Sequence, residues 1–340
     1  MSQRQQPKKH HFVPQCYLKN FTQENQFYVL DVRKAQKGYK ELPMPKHTGQ
    51  ICYFNNYYTI DENIGSSQFR LDTFDALYIE IEVLRRLENR YGKVFDKLSN
   101  NTRLSLQDAI DVADFIIQLK LRNPYWMRET LEKKKDSFID SAMDSLESDK
   151  FNSNPRFQHM PMELKQAVAN WVRTENKANP KFSKQMQLFS LIQRNLNQET
   201  RNEKFRLAII DCKWMIYRTP ENGPYFITSD NPGYSLKGND GLTYNTNFTD
   251  PFMFFFPISP KLCLVIAGNE KDFVYSNKEQ YKQYKSGLIS SDLVVAINNS
   301  SMQCINSLLI AVDKWYLSQI AVLNNPNAEK SNSGSQEQLP

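Results

Sequence analysis

The apolar residues of this chain change their spacing twice, and those two changes constrain its fold more than any other feature. Residues 26–32 and 51–54 have the aromatic and β-branched make-up of strands, and 57–60 reads as another strand after an Asn55-Asn56 turn. From residue 67 the period lengthens. Phe74, Leu77, Ile81, Leu84, Leu87, Tyr91, Phe95 and Leu98 recur at steps of three and four, which predicts a long amphipathic helix over 67–98. Residues 104–121 predict a second helix with Ile110, Ala113 and Ile117 on one face. It ends at Arg122-Asn123-Pro124, because proline disfavours a helical residue before it. Helical patterns continue over 125–148, 162–173 and 182–205. Near Phe205 the strand pattern returns, over 207–217, 225–228 and the apolar run 252–266, which Pro257 and Pro260 divide into two strands. Residues 278–285 and 290–312 read as helical, and 314–317 as a closing edge strand.

These periods predict a mixed α+β fold. It comprises a disordered lead (1–9), a small β-rich module (10–66), a helical region (67–204), a C-terminal sheet with helices (205–322) and a disordered tail (323–340). A chain of 340 residues exceeds the usual ~100–200 of one domain, yet it suits one large unit. The first and last strands can pair across the structure, making one body with the helices inserted.

Several function classes are excluded early. With only 11 glycines there is no phosphate-cradling loop, and no Walker or dinucleotide fingerprint is present. The five cysteines are scattered without a Cys-x-x-Cys pair, which argues against a zinc ribbon or disulfide framework and fits a reducing cytoplasm. The N-terminus lacks an apolar signal core, and the richest apolar run is too short and broken to span a membrane. A net charge of +6 permits contact with nucleic acid without resembling a basic arm.

The candidate chemistry begins at Lys8-Lys9-His10-His11-Phe12-Val13-Pro14, which holds two of the four histidines. Histidine both titrates near neutrality and ligates metals, and neighbours on an extended segment point to opposite sides. At ~100° per residue, Glu80 falls within roughly 50° of the centre of the apolar stripe, where a carboxylate must be paired, bonded, metal-bound or protonated. Glu82 falls on the solvated side. Arg122 offers a bidentate clamp for phosphate, or a buried partner for Glu80. Asp230, in Thr228-Ser229-Asp230-Asn231-Pro232, could ligate a metal or orient an imidazole, whereas Asp and Asn before proline also build turns. His47 and His159 lie in loops without ligand spacing, and Lys133 to Lys135 reads as a solvated helix face.

The stretch His10-His11-Phe12-Val13-Pro14-Gln15-Cys16-Tyr17-Leu18-Lys19-Asn20-Phe21 resembles the opening signature of a bacterial family, domain of unknown function 4238. Asn55-Asn56-Tyr57-Tyr58, Gln118-Leu119-Lys120-Leu121-Arg122-Asn123-Pro124 and Phe226-Ile227-Thr228-Ser229-Asp230-Asn231-Pro232 match weaker signatures in the same order. The resemblance implies a shortlist of residues and no settled activity. Locally, His-His-Phe-Val-Pro is also similar to the His-His-Ile-Val-Pro segment of His-Asn-His nucleases. There a strand histidine activates water, an asparagine orients it, and a helix histidine helps hold the metal. No histidine lies on the 67–98 helix here, so Glu80 would be an acidic substitute.

The leading expectation is a divalent-metal-dependent phosphodiesterase acting on nucleic acid. His11 serves as general base or ligand; His10, Glu80 and Asp230 are further ligands of magnesium, manganese or zinc. Asn55 or Asn56 orients, and Arg122 holds a phosphate. The alternative is a non-enzymatic binding or regulatory module with a protein partner, in phage defence or toxin immunity, whose polar motifs only cap the fold.

Overall fold

The computed structural model describes residues 8–37, 39, 41–61, 64, 70–146, 159–192, 201–237, 242–246, 252–268 and 281–323. Most of the expected disordered lead (1–7) and tail (324–340) lies outside these residues. The N-terminal region contributes β1 (Lys9–His11), β2 (Phe27–Asp31), β3 (Met44–Lys46) and β4 (Tyr53–Asn55). Within the helical region lies β5 (Leu104–Ser105). There follow β6 (Lys213–Arg218), β7 (Thr228–Ser229), β8 (Tyr234–Lys237), β9 (Thr243–Tyr244), β10 (Phe252–Ser259), β11 (Leu262–Ala267), β12 (Tyr281–Lys282), β13 (Tyr284–Leu288) and β14 (Leu308–Ala311).

The fold is mixed α+β, and its ends do pair. A four-stranded sheet runs β3-β2-β14-β7, with Leu30 opposite Leu309 and Val29 opposite Ile310. A six-stranded sheet runs β13-β6-β11-β10-β8-β9 and is antiparallel except for β13 against β6. Strands β10 and β11 are apolar up to the closing Ser259 of β10 because both faces of their sheet are covered. Phe254, Phe256 and Leu264 enter the main core with the helices, whereas Phe255, Cys263 and Val265 meet Val294 and Ile297 of the Ser291–Ser301 helix. The main core also takes Val13, Tyr17, Leu87, Phe115 and Leu188, so the helical region shares one interior with both ends of the chain.

The Leu106–Leu121 helix runs through this interior. Ser105 and Asp108 close a capping box at its start, and its buried Asp111 and Asp114 are each paired, with Arg90 at 3.0 Å and Arg206 at 2.8 Å. The Arg85–Ser99 helix lies beside it and is preceded by a π-helical turn, Ile79–Leu84. The expected helix over 67–98 therefore starts late: Leu71–Thr73 is a separate 3-10 turn, and residues 65–69 lie outside the described set.

Four other expectations need correction. Residues 207–211 finish the Arg201–Asp211 helix rather than start a strand, and Lys282 Nζ donates to the carbonyls of Ile210 and Cys212 at that helix end. Residues 281–282 are β12, paired with β5, and 284–285 open β13, which completes the sheet beside β6, while 278–280 lie outside the described residues. The 290–312 helix stops at Ser301, and β14 follows. Residues 314–317 open the Lys314–Leu323 helix, where Asp313 Oδ1 accepts from the Trp315 N–H at 2.8 Å and Leu317, Ile320 and Ala321 turn one face to the four-stranded sheet. Among the described residues, no helix is long and apolar enough to cross a membrane.

Candidate active site

The site starts from an antiparallel pair of three-residue strands. In β1 and β4, Lys9 lies opposite Asn55, His10 opposite Phe54 and His11 opposite Tyr53. The two-residue period sends the two histidines to opposite sides. His10 is fully buried, its ring stacks on Tyr58 at 5.8 Å, and its Nδ1 accepts the Tyr58 N–H at 2.9 Å. The proton of the neutral ring is then on Nε2, which leaves His10 no lone pair for a metal and removes it from the expected ligands. Instead of the expected strand over 57–60, the chain turns at 56–58, closed by the Thr59 N–H donating to the Asn56 carbonyl at 3.2 Å.

His11 faces a cleft of about 1060 Å³, with its ring tilted against Tyr53 at 5.4 Å. Its Nε2 is shielded from solvent and has no hydrogen-bond partner. Burial, assisted by the charges of Arg122 and Lys9, lowers its pKa to about 4, so the imidazole is neutral at physiological pH. Asn56 lies at the turn after β4 in the left-handed region (φ 55°), its N–H donating to the Lys8 carbonyl at 2.8 Å. Asn56 lines the cleft, along with Thr59 and the ammonium-bearing Lys8 and Lys9. Asn55 is not part of the cleft wall, so of the two candidate asparagines only Asn56 is placed to act there.

Glu80 projects into the same cleft from the π-helical turn. Such a turn inserts an extra residue and redirects side chains, and π turns recur at functional sites. Its Oε2 is also buried without a partner. Burial, reinforced by the nearby Glu88 charge, raises its pKa from the usual 4.5 to about 7. Glu82, as expected, is on the open side, where it pairs with Arg86.

Arg122 does not line the cleft. It is 2 % exposed and donates through Nη1 to Glu88 at 2.8 Å, while its carbonyl accepts the Tyr58 hydroxyl at 2.8 Å. Its expected partner Glu80 gains only the charge field, and the expected phosphate clamp is spent on an internal ion pair. Glu88, which reaches the cleft wall, was not singled out from the sequence. Its signal was there: it stands eight residues beyond Glu80, two steps of four along the same helix.

Asp230 belongs to a different polar centre. Its Oδ1 accepts the Asn306 N–H at 2.9 Å, and its Oδ2 accepts the N–H groups of Ser307 and Leu308 at 2.8 and 2.9 Å. These bonds seat the start of β14. Burial outweighs them and raises its pKa to about 6. Asn123 donates to the Asp230 carbonyl at 2.8 Å, and buried Lys120 donates to Asn231 Oδ1 at 3.2 Å and the Gly233 carbonyl at 2.5 Å. The two later signatures thus meet each other, and Asp230 is withdrawn from the expected metal ligands because its oxygens already serve the backbone. Nor is Lys135 a solvated charge: it caps the Met162–Ala178 helix, donating to the carbonyls of Lys177 and Asn179 at 2.8 and 2.7 Å.

Among the described residues, no three His, Cys, Asp or Glu side chains converge as a metal cage. Three buried unpartnered atoms share the cleft, Thr59 Oγ1 and two usual metal donors, His11 Nε2 and Glu80 Oε2. Two such donors fall short of the three or four protein ligands zinc takes. The pair fits magnesium or manganese, which one or two carboxylates hold together with waters and substrate phosphates.

A family model described as Protein of unknown function (DUF4238) matches residues 9–314. The chain belongs to this family. No curated protein and no solved structure matches it. In this DUF4238 chain the signature residues divide by task. His10, Tyr17, Tyr58, Arg122, Asn123 and Asp230 are engaged in internal bonds, among them the Tyr17 hydroxyl, which donates to the Pro257 carbonyl at 2.6 Å and bonds Thr228 Oγ1 at 2.7 Å. His11, Gln15 and Asn56 are the residues of the signature stretches left facing the cleft.

Proposed function

We propose that this DUF4238 protein is a phosphodiesterase that cuts nucleic acid with the help of magnesium or manganese. One observation carries the reading: a neutral imidazole nitrogen and a carboxyl oxygen, both buried and both without partners, line one cleft beside two lysines. Buried polar atoms are seldom left unpaired, and such orphans mark places where a ligand completes the bonding.

Each residue has a role. Lys8 and Lys9 draw phosphate groups to the cleft. Glu80 holds the cation, which supplies charge stabilisation at the phosphoryl oxygens when bound. Asn56 orients a water whose proton passes to His11 Nε2 as the water oxygen attacks phosphorus, and the P–O bond to the leaving oxygen breaks. That oxygen takes a proton from solvent. Burial, helped by the Arg122 charge, keeps His11 unprotonated in the resting site, and the negative charge of an arriving phosphate raises its basicity when it is needed.

The test is cleavage of DNA and RNA with added manganese, wild type beside His11→Ala. Loss of general-base catalysis should slow cleavage by about 10²- to 10⁴-fold with the thermal midpoint nearly unchanged. A wild-type protein inert on both polymers and on a small phosphodiester would overturn the proposal. It would favour a non-enzymatic binding or regulatory module, the reading supported by the number of signature residues spent on internal bonds.

A further inference from the structure

Resting on the phosphodiesterase reading, the shape of the cleft points to its substrate class: we infer that the site takes unpaired, single-stranded nucleic acid and not duplex. The two atoms placed to act, His11 Nε2 and Glu80 Oε2, are both shielded from solvent. They line a half-open cleft of about 1060 Å³ and are set back from its surface. The phosphates of a duplex lie along a stiff outer rim of fixed spacing, so bringing one to a recessed atom requires the rim itself to approach or bend. A single strand has a flexible backbone that can bend one phosphate inward while its neighbours remain outside.

The lining matches such a strand. Lys8 and Lys9 are exposed on one wall, next to His11, where they suit successive phosphates. Ala76 and Leu77 form an apolar portion of the lining suited to a sugar or base face. Gln15, in the same lining, is an exposed amide whose Oε1 accepts from Thr48 Oγ1 at 3.1 Å. Lys9 is partly held in place, with its Nζ 4.3 Å above the Tyr53 ring and donating to the Gly49 carbonyl at 3.2 Å. A pre-positioned ammonium loses less freedom on meeting a phosphate than a free one does.

The experiment compares initial rates of wild-type protein with manganese on a single-stranded oligonucleotide, the same sequence annealed to its complement, and bis(p-nitrophenyl) phosphate, with His11→Ala as the blank for contaminating nucleases. The expected result is cleavage of the single strand about a hundredfold faster than the duplex, the scale of a modest duplex-bending penalty. Comparable rates on single strand and duplex would overturn the inference while leaving the phosphodiesterase reading intact. Hydrolysis of the small diester with neither polymer cut would also overturn it, again sparing the chemistry. Inactivity on all three would sink the parent reading instead.

Discussion

Adjacent residues of identical chemistry have opposite jobs in this chain. His10 is a buried acceptor for one backbone N–H, and its neighbour His11 keeps an unpaired nitrogen in the cleft. Truncating His10 to alanine should cost roughly 2–4 kcal/mol, since the Tyr58 N–H loses its partner and a cavity replaces the ring. Urea denaturation of His10→Ala beside His11→Ala checks this; equal loss in both would contradict the division. Glu80 carries the opposite kind of cost. Its folded-state pKa, about 7, exceeds the usual 4.5, so between those values the folded protein binds more protons than the unfolded. Stability from this group therefore falls as pH rises from about 4.5 to 7 and stays low above that. Glu80→Gln should stabilise the protein by roughly 1–3 kcal/mol at pH 8, leave it unchanged at pH 4, and abolish activity. Melting curves at the two pH values decide the matter. The helical projection found Glu80 because a buried carboxylate interrupts an apolar stripe, but it named the wrong partner: Arg122 reaches Glu88, and spacing alone does not rank two acids along one helix.

Elements were legible where their period was unambiguous. The Leu106–Leu121 helix, the Phe252–Ser259 and Leu262–Ala267 pair, and β2 all follow the sequence closely. Misreadings cluster where apolar and aromatic residues are dense. Residues 314–317 suggest a strand on composition, yet only the spacing of Leu317, Ile320 and Ala321 matches a helix face laid on a sheet. The π-helical turn at Ile79–Leu84 was beyond reach, because its local period departs from 3.6 and no residue type marks it. Capping is where an element can be tested directly. Ser105 Oγ accepts the Asp108 N–H at 3.2 Å at the start of the central helix. Ser105→Ala should lower stability by about 1–2 kcal/mol without altering the cleft. A chemical denaturation curve with an unchanged slope and a lower midpoint is the expected outcome; an unchanged midpoint would show the cap to be idle.

At the scale of the whole molecule, the expected single body with inserted helices is what forms: β2 near one end lies against β14 near the other, and a common core runs between them. What composition could not show is how the signatures meet. Asp230 looked like a ligand because it is a carboxylate at a strand end, but it is the anchor that fixes β14 through three N–H groups. A chain stopped after Gly268 lacks β14 and should show no near-UV circular dichroism and no cooperative unfolding. Retention of either by the truncated chain would mean that the first 268 residues fold alone. The same pairing has a consequence for synthesis. His11 emerges from the ribosome early, but Tyr17 is bonded to Thr228 and Pro257, and β2 needs β14 beside it. During translation the segment that carries His11 therefore waits, roughly three hundred residues long, for the far end that holds Tyr17 and β2. On the proposed chemistry, a chain still short of its far strands would leave its own messenger uncut without any inhibitor.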